Sequence, residues 1–492
     1  MSETNNTKQV AWIAIGSLFS FGFSIVSSMI LSRYFDKADY GTYKQVIYVY
    51  NTLLTVFTLG LPKAFSYFLP RVDIAQAKSV IKKITNLFFI LGGSFSLLLY
   101  VSSSLIANIL NNSELSVALK IFALVPFLML PTMGLEGILA TFKKTMFMAI
   151  YTIISRIFML LCVAVPVLLF DATYKEALVG FVIASFISFV LALYFKFYPV
   201  RNEQNVASTL TYKEIFKFSL PLLFASGWGT IIASSDQFFI SRYFGNEVFA
   251  EFSNGFIELP FVGMIIGACA TVLSPVFSKL SYDTTNPKED IYPIWISVFK
   301  KTAMLIYPLV LYCLFFADVV MVVLYGGQYE NSSIYFRIKL FANFFTLIAY
   351  GPLIINIGKV KFYANVHMYS ALVLVVLELV VVKLLPSAEL VAGVSVLCHL
   401  GRIYCMMKLI ANYLNLNFIQ LFPTKLILKI IIPSILILTI DKLVVDNYLI
   451  YNYWGKFIIS FSAYFILYIV YSLIAKLDYL NLIRPIIKKE IK

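Results

Sequence analysis

Long apolar stretches separated by short polar links run along the whole chain. Several stretches contain no Asp, Glu, Lys or Arg over about 19 residues or more, which is enough for a helix to cross a hydrocarbon layer of ~30 Å. Backbone groups inside lipid find no outside partner, so such segments must be helical. The uncharged stretches are 9–32, 84–113, 177–195, 259–278, 340–358 and 457–475.

Composition supports a membrane protein, because 60% of the residues are hydrophobic and only 13% are charged, whereas soluble domains carry about 25% charged residues. With an occasional charge allowed inside a run, the pattern predicts an all-α polytopic membrane protein with about fourteen transmembrane helices. The predicted spans are 9–31, 44–68, 84–106, 117–140, 146–170, 177–198, 217–241, 252–278, 300–323, 335–357, 362–385, 389–411, 426–445 and 455–475.

A short sequence occurs twice in equivalent places. The tetrad Ser-Arg-Tyr-Phe stands at 32–35 and again at 241–244, each time where an apolar run ends. Two polar links, at 72–83 and 282–301, also occupy matching positions and are predicted to be amphipathic helices on the membrane surface. A chance match of four common residues is the alternative, but the shared positions favour a duplication.

The duplication predicts the architecture. Six spans separate the two tetrads, so both halves enter the membrane in the same sense, as in transporters built from parallel repeats around a central cavity. The expected domains are an N-terminal six-helix bundle at 1–200, a second six-helix bundle at 201–412, and two additional helices with a tail at 413–492.

Lysine and arginine are more than twice as frequent in one set of links as in the other. By the positive-inside rule, this bias puts both termini in the cytoplasm and both tetrads on the outer side. The formal charge of +14 is explained by anionic lipid at the inner leaflet, so no nucleic-acid partner is expected. The five cysteines lie in apolar runs without paired spacing, which indicates neither a disulfide framework nor a metal site.

Ionisable residues inside the spans are candidates for function, since each costs roughly 2.5–3.5 kcal/mol in lipid. The cations Lys63, Arg156 and Arg402 are predicted to line the cavity and to hold an anionic group. The remaining groups are candidates for coupling to H⁺ or Na⁺, and they are Glu136, Asp236, Glu258, Glu378 and His399. The alternative interpretation is that these residues form salt bridges between helices or snorkel to the interface.

The arginines of the two tetrads, Arg33 and Arg242, are predicted to lie at the outer surface, where they bind lipid phosphates or close an outer gate. Motifs of ATP hydrolysis, zinc proteases and serine hydrolases do not occur in the sequence, and the outer links are too short for a catalytic domain. The sequence therefore favours movement of a substrate over a chemical reaction, without a cofactor or metal.

Four segments resemble a known family. They are "ILSRYFDKADYGTYKQV", "LGLPKAFSYFLPR", "SSDQFFISRYFGNEVFAEFSNGFIELP" and "LSPVFSKL". Together they are similar to the Wzx-type flippases of lipid-linked oligosaccharides, which are polysaccharide exporters of the multidrug/oligosaccharidyl-lipid/polysaccharide superfamily. The resemblance covers most of residues 8–410.

The resemblance implies two six-helix bundles in a V around a central cavity. It also implies an undecaprenyl-diphosphate-linked oligosaccharide as substrate, moved from the inner to the outer leaflet of the bacterial cytoplasmic membrane by alternating access. Membrane lipids and a polysaccharide polymerase would be partners. Three alternatives are a multidrug exporter of the same superfamily, a membrane-bound glycan polymerase or transferase, and a non-transporting scramblase or scaffold.

Overall fold

The computed structural model of the chain describes residues 3–204, 206–283, 286–348, 350–448, 452–477 and 479. All regular secondary structure in these ranges is helical, which confirms the predicted fold class. The basic tail at 480–492, which contributes to the predicted orientation, lies outside the described residues.

The first part of the chain folds into eleven α-helices connected by short turns. In chain order they are α1 Glu3–Tyr34, α2 Lys37–Thr58, α3 Pro62–Phe68, α4 Ile74–Val101, α5 Ser103–Ile109, α6 Glu114–Phe122, α7 Val125–Met129, α8 Leu135–Thr141, α9 Thr145–Phe170, α10 Tyr174–Phe197 and α11 Tyr212–Gly255.

The second part of the chain repeats this pattern of long helices and broken helices. Its helices are α12 Pro260–Asp283, α13 Pro287–Asp290, α14 Tyr292–Phe315, α15 Ala317–Tyr325, α16 Ser332–Phe341, α17 Tyr350–Asn356, α18 Val360–Leu384, α19 Ala388–Tyr413, α20 Thr424–Tyr448 and α21 Tyr453–Ile474.

Each predicted span overlaps one to three of these helices. In the described ranges, ten helical segments are long and apolar enough to cross a membrane, and α11 makes an eleventh if its two bent parts count as one. The other three predicted spans fall on α1, on the pair α16 and α17, and on α20. The chain is therefore a multi-pass helical membrane protein.

One local prediction was wrong. The link at 72–83 is not a separate helix on the membrane surface, because α4 runs without interruption from Ile74 to Val101. No proline stands in this stretch to end a helix after the link. In the matching link at 282–301, the only separate helix in the described residues is the four-residue α13, and α14 begins directly after it.

The second predicted span is broken in its middle. Leu59 and Gly60 both have positive φ, at 49° and 71°, and end α2. Pro62 then begins α3, a position where its missing N–H costs nothing. The break places Lys63 in the first turn of α3.

The helices form two compact units, 1–250 and 251–492. The division lies inside α11 because the residues of this helix up to 250 pack against α2 and the turn before α6. For example, Tyr48 donates a hydrogen bond from its hydroxyl to the carbonyl of Ser234 at 3.2 Å, and the rings of Tyr48 and Phe249 are 5.8 Å apart. The domain limits near 200 and 412 describe the repeat rather than this packing, and they stay a prediction.

Candidate functional site

Two of the predicted cavity cations belong to the first unit. The side chains of Lys63 on α3 and Arg156 on α9 are both exposed. In the described part of the chain, neither makes an ion pair with a carboxylate. Each is thus a positive charge in an apolar helix that is not held as half of a salt bridge.

The predicted coupling acids have different surroundings. Glu136 on α8 is exposed, whereas Asp236 on α11 is 4% exposed and accepts a hydrogen bond from the backbone N–H of Gln237 at 2.7 Å. In the second unit, Glu378 on α18 is fully buried. Glu258 is exposed and pairs with Lys339 at 3.5 Å, as the salt-bridge interpretation expects.

Arg402 lies near the middle of α19 and is only 9% exposed. Its Nη2 donates to His399 Nδ1 at 2.6 Å, and its Nη1 lies 3.5 Å from Ser370 Oγ on α18. The phenol of Tyr350 on α17 also interacts with it. Its Nε has no hydrogen-bond partner among the described residues. A guanidinium is therefore buried without a carboxylate and with donors left over.

Both histidines of the chain stand around this guanidinium. The ring centres of His367 and Tyr363 are 4.4 Å apart, with the rings tilted against each other. Both residues interact electrostatically with Arg402. Thr346 Oγ1 lies 3.2 Å from His399 Nε2. We call this group the Arg402 cluster, and its members are Thr346, Tyr350, Tyr363, His367, Ser370, His399 and Arg402.

The charge of the cluster favours an anion. Lys339 on α16 also interacts with His399, and its charge is balanced by Glu258 at 3.5 Å. The other ring and hydroxyl members are neutral hydrogen-bonding groups, and no carboxylate in the described part of the chain forms a salt bridge with Arg402. An isolated buried cation costs several kcal/mol, a cost that a bound anion would remove.

The sequence located Arg402 and His399 but missed most of their neighbours. His367 and Ser370 come from α18, and Tyr350 comes from α17. The available signal was the histidine count, since His367 is one of only two histidines and lies in a predicted span. Hydroxyls and phenols are common in transmembrane helices and give no such signal.

The second Ser-Arg-Tyr-Phe tetrad takes part in a polar network with α2. Gln45 Nε2 donates to Ser241 Oγ at 2.8 Å, and both side chains are fully buried. Asn112 Nδ2 donates to Gln45 Oε1 at 2.6 Å and to Thr42 Oγ1 at 2.9 Å. Asn246 Nδ2 lies 3.3 Å from the same Thr42 oxygen. We call these five residues the tetrad network.

Arg242, the arginine of the second tetrad, contacts the end of a helix. Arg242 donates from Nη1 to the backbone carbonyls of Asn108 and Ile109 at the end of α5. A cation is favoured there because the last carbonyls of a helix are unsatisfied and carry partial negative charge. Arg33 is exposed. Arg242 therefore binds backbone carbonyls of the protein, and its role as a gate or lipid-binding residue stays a prediction.

The backbones of α2 and α11 approach closely beside this network. A Cβ atom added to Gly41 would overlap the carbonyl oxygen of Asn246. Asn246 also donates from Nδ2 to the carbonyl of Ala38 at 3.0 Å. Only glycine permits this distance between the two backbones.

Comparison with known proteins identifies related sequences and folds. Residues 7–281 match the model of the family described as polysaccharide biosynthesis protein. No curated protein sequence matches the chain significantly.

Several solved structures share the fold over most of their length. The lipid II flippase MurJ in an inward closed conformation has a TM-score of 0.73 and 17% identity, covering 96% of this chain and 100% of that one. A multidrug resistance MATE transporter of the MOP superfamily, in an inward-facing conformation, has a TM-score of 0.63 and 13% identity, with coverages of 83% and 99%. A MOP superfamily transporter from Pyrococcus furiosus has a TM-score of 0.53 and 14% identity, with coverages of 83% and 96%.

Proposed function

Because the chain belongs to the polysaccharide biosynthesis protein family, within the multidrug/oligosaccharidyl-lipid/polysaccharide superfamily, we propose that it is a flippase for lipid-linked oligosaccharides. It moves an undecaprenyl-diphosphate-linked glycan from the inner to the outer leaflet of the bacterial cytoplasmic membrane. The two halves of the chain alternate in access, and both ends of the chain lie on the cytoplasmic side. A polysaccharide polymerase receives the product.

The observation that carries this proposal is the unbalanced charge of Arg402. A buried guanidinium with spare donors and no carboxylate partner suits a phosphate or diphosphate group, which accepts several charge-assisted hydrogen bonds. Lys63 and Arg156 add two further cations without acidic partners in the described residues. The similar fold of a lipid II flippase supports a substrate of the same chemical kind.

A drug exporter of the same superfamily is the second candidate, since MATE transporters share the fold. A cationic drug would require an acidic site. The Arg402 cluster offers the opposite charge, and Glu258 is already paired with Lys339. The buried acids Asp236 and Glu378 remain our candidates for coupling transport to H⁺ or Na⁺.

The exposed cations give the first prediction. Lys63→Ala and Arg156→Ala are each expected to slow translocation of a fluorescent undecaprenyl-diphosphate-linked oligosaccharide in proteoliposomes by about fivefold. Each removes one charged contact worth about 1 kcal/mol in a wet cavity. The measurement is the fraction of the lipid that a membrane-impermeant quencher reaches over time.

Lys408→Ala is the matched control, because Lys408 is an exposed lysine on α19. Its Nζ lies 5.9 Å from the ring centre of Tyr404. We expect it to translocate at the wild-type rate. Rates unchanged in Lys63→Ala and Arg156→Ala would remove both residues from the substrate path. Transport of drug cations without transport of the glycan lipid would establish the second candidate instead.

A further inference from the structure

The hydrogen bonds of Arg402 determine the protonation state of His399. Arg402 Nη2 and His399 Nδ1 are 2.6 Å apart. A guanidinium nitrogen has hydrogens to donate but does not accept, so Nδ1 must be the acceptor. An accepting Nδ1 carries no hydrogen. The imidazole is therefore neutral, with its hydrogen on Nε2.

Thr346 completes this arrangement on the other side of the ring. Its Oγ1 is 3.2 Å from His399 Nε2 and donates its own hydrogen to the carbonyl of Ala342 at 3.0 Å. The hydroxyl oxygen keeps lone pairs with which to accept from Nε2–H. Both ring nitrogens of His399 are thus occupied, and a second proton has no site while Arg402 stays in place.

Arg402 would form a stronger hydrogen bond with a charged acceptor than it does with the neutral imidazole of His399. Its Nε has no partner among the described residues, although the side chain is only 9% exposed. Its contact with Ser370 Oγ is long, at 3.5 Å. A phosphate oxygen is charged and accepts a stronger hydrogen bond than a neutral ring nitrogen does. An anion at this point would therefore draw the guanidinium away from His399.

We propose that Arg402 and His399 form a linked site for an anion and a proton. A phosphate or diphosphate group takes over the hydrogen bonds of Arg402, and His399 Nδ1 then binds one proton from solvent and donates it in a hydrogen bond to the anion. No bond to carbon or phosphorus changes. The identity of the anion as a lipid-linked diphosphate rests on the proposed function, whereas the linkage itself requires only an anion.

Other ionisable groups surround His399, and none of those named here makes the same direct contact. Lys339 on α16 interacts with it but is paired with Glu258 at 3.5 Å. His367 on α18 also interacts with His399. Tyr350 on α17, Tyr363 on α18 and Cys398 on α19 interact with Arg402, and Glu378 on α18 interacts with Cys398. Arg402 is the charged group that His399 touches, so a change at Arg402 has the largest effect on its proton affinity.

His367 provides a matched control in the same cluster. Its Nδ1 lies 3.0 Å from the backbone carbonyl oxygen of Tyr363, which can only accept. Nδ1 therefore carries the hydrogen and Nε2 remains free to bind a proton. Protonation of His367 does not require Arg402 to move, so an anion should act on it only through the charge of Arg402, and less strongly than on His399.

The direct test is nuclear magnetic resonance of ¹⁵N-labelled histidine in the full chain in nanodiscs. With two histidines in the chain, His399→Gln assigns both sets of signals. Without ligand at neutral pH, we expect the His399 nitrogens to show the neutral form with hydrogen on Nε2. Addition of farnesyl diphosphate should convert His399 to the doubly protonated form and change the His367 signals less.

Affinity measured against pH provides the second test. Because one proton binds with the anion, the affinity for farnesyl diphosphate should rise by up to about tenfold for each unit of acidification. Farnesyl diphosphate itself titrates in the same pH range, so the slope of affinity against pH is compared between wild type and His399→Gln. The glutamine side chain can accept a hydrogen bond from Arg402 but cannot bind a proton. Lys408→Gln, an exposed position on α19 outside the cluster, should keep the wild-type slope. Inorganic pyrophosphate shows whether the lipid chain is needed.

The outcomes separate the linkage from the proposed function. If farnesyl diphosphate binds and His399 stays neutral, or if His399→Gln keeps the wild-type slope, the linkage is overturned and the flippase proposal stands. If the glycan lipid is translocated without any diphosphate binding that depends on Arg402, the linkage alone is again overturned. If pyrophosphate shows the linkage but no lipid-linked glycan is moved, the linkage is supported and the flippase proposal fails.

Discussion

Arg402→Gln is expected to reduce translocation of the lipid-linked oligosaccharide by about 100-fold, and at the same time to stabilise the protein. The amide keeps polar contact with His399 and Ser370 but removes the charge that we propose holds the diphosphate. A charge-assisted contact in a buried site is worth up to about 3 kcal/mol, which corresponds to that factor. A buried cation without a carboxylate also destabilises the folded chain, so its removal should raise the free energy of unfolding by about 1–3 kcal/mol.

The two effects of opposite sign distinguish a binding residue from a structural one. Translocation is measured in proteoliposomes, and stability by thermal unfolding of the detergent-solubilised protein. Arg402→Lys should recover part of the activity, because it restores the charge but not the planar pair of donors. Lys408→Gln, on the same helix, should change neither quantity. Loss of both stability and activity in Arg402→Gln would show that the guanidinium serves the fold.

Gly41→Val is expected to abolish the contact between α2 and α11 and to slow translocation by at least about tenfold. The new side chain would overlap the backbone carbonyl of Asn246. A backbone carbonyl in a helix cannot relieve the overlap by rotating, as a side chain could. The resulting overlap costs more than the 1–3 kcal/mol typical of overpacking, so the helices must separate and the tetrad network must open. In the proposed transport cycle this contact closes one end of the protein, so its loss is expected to interrupt the cycle.

The contact can be followed by oxidative cross-linking of Thr42→Cys with Asn246→Cys, whose side chains are now 3.3 Å apart. The five native cysteines are first replaced so that only this pair reacts. Gly41→Val should lower the yield of the cross-link. Gly229→Val is the control, since Gly229 lies on α11 with open space around it. An unchanged yield in Gly41→Val would show that the two helices adjust without separating.

The sequence predicted the helices well because backbone groups inside a membrane must form their hydrogen bonds within the segment, which favours a helix. Apolar length and the absence of charge depend only on local sequence, and all fourteen predicted spans overlap helices. The surface helix at 72–83 was wrong because amphipathic character alone does not show where a helix ends. Continuous helix from Ile74 to Val101 is equally consistent with that pattern.

Candidate site residues could be predicted one at a time but not as a group. Arg402 is conspicuous as a charge within an apolar run, whereas its contact with Ser370 depends on how α18 and α19 are rotated against each other. Lys196 stands near the end of the predicted span 177–198 and is not among the candidate site residues. The structure buries it completely, with its Nζ 4.7 Å from the ring centre of Phe65. Such packing is decided by neighbours that are distant in sequence.

The break between α2 and α3 has a mechanical consequence. Around it the backbone bonds join each residue to the one three places earlier, as from Leu59 to Val56, from Leu61 to Thr58 and from Lys63 to Gly60. The regular i to i−4 ladder of the helix is already interrupted there, so bending at this point disturbs only the few i to i−3 bonds around the break. The part of the span bound by the tetrad network can therefore stay fixed while the part that carries Lys63 swings. One transmembrane segment can in this way keep its α2 part in place while its α3 part changes orientation.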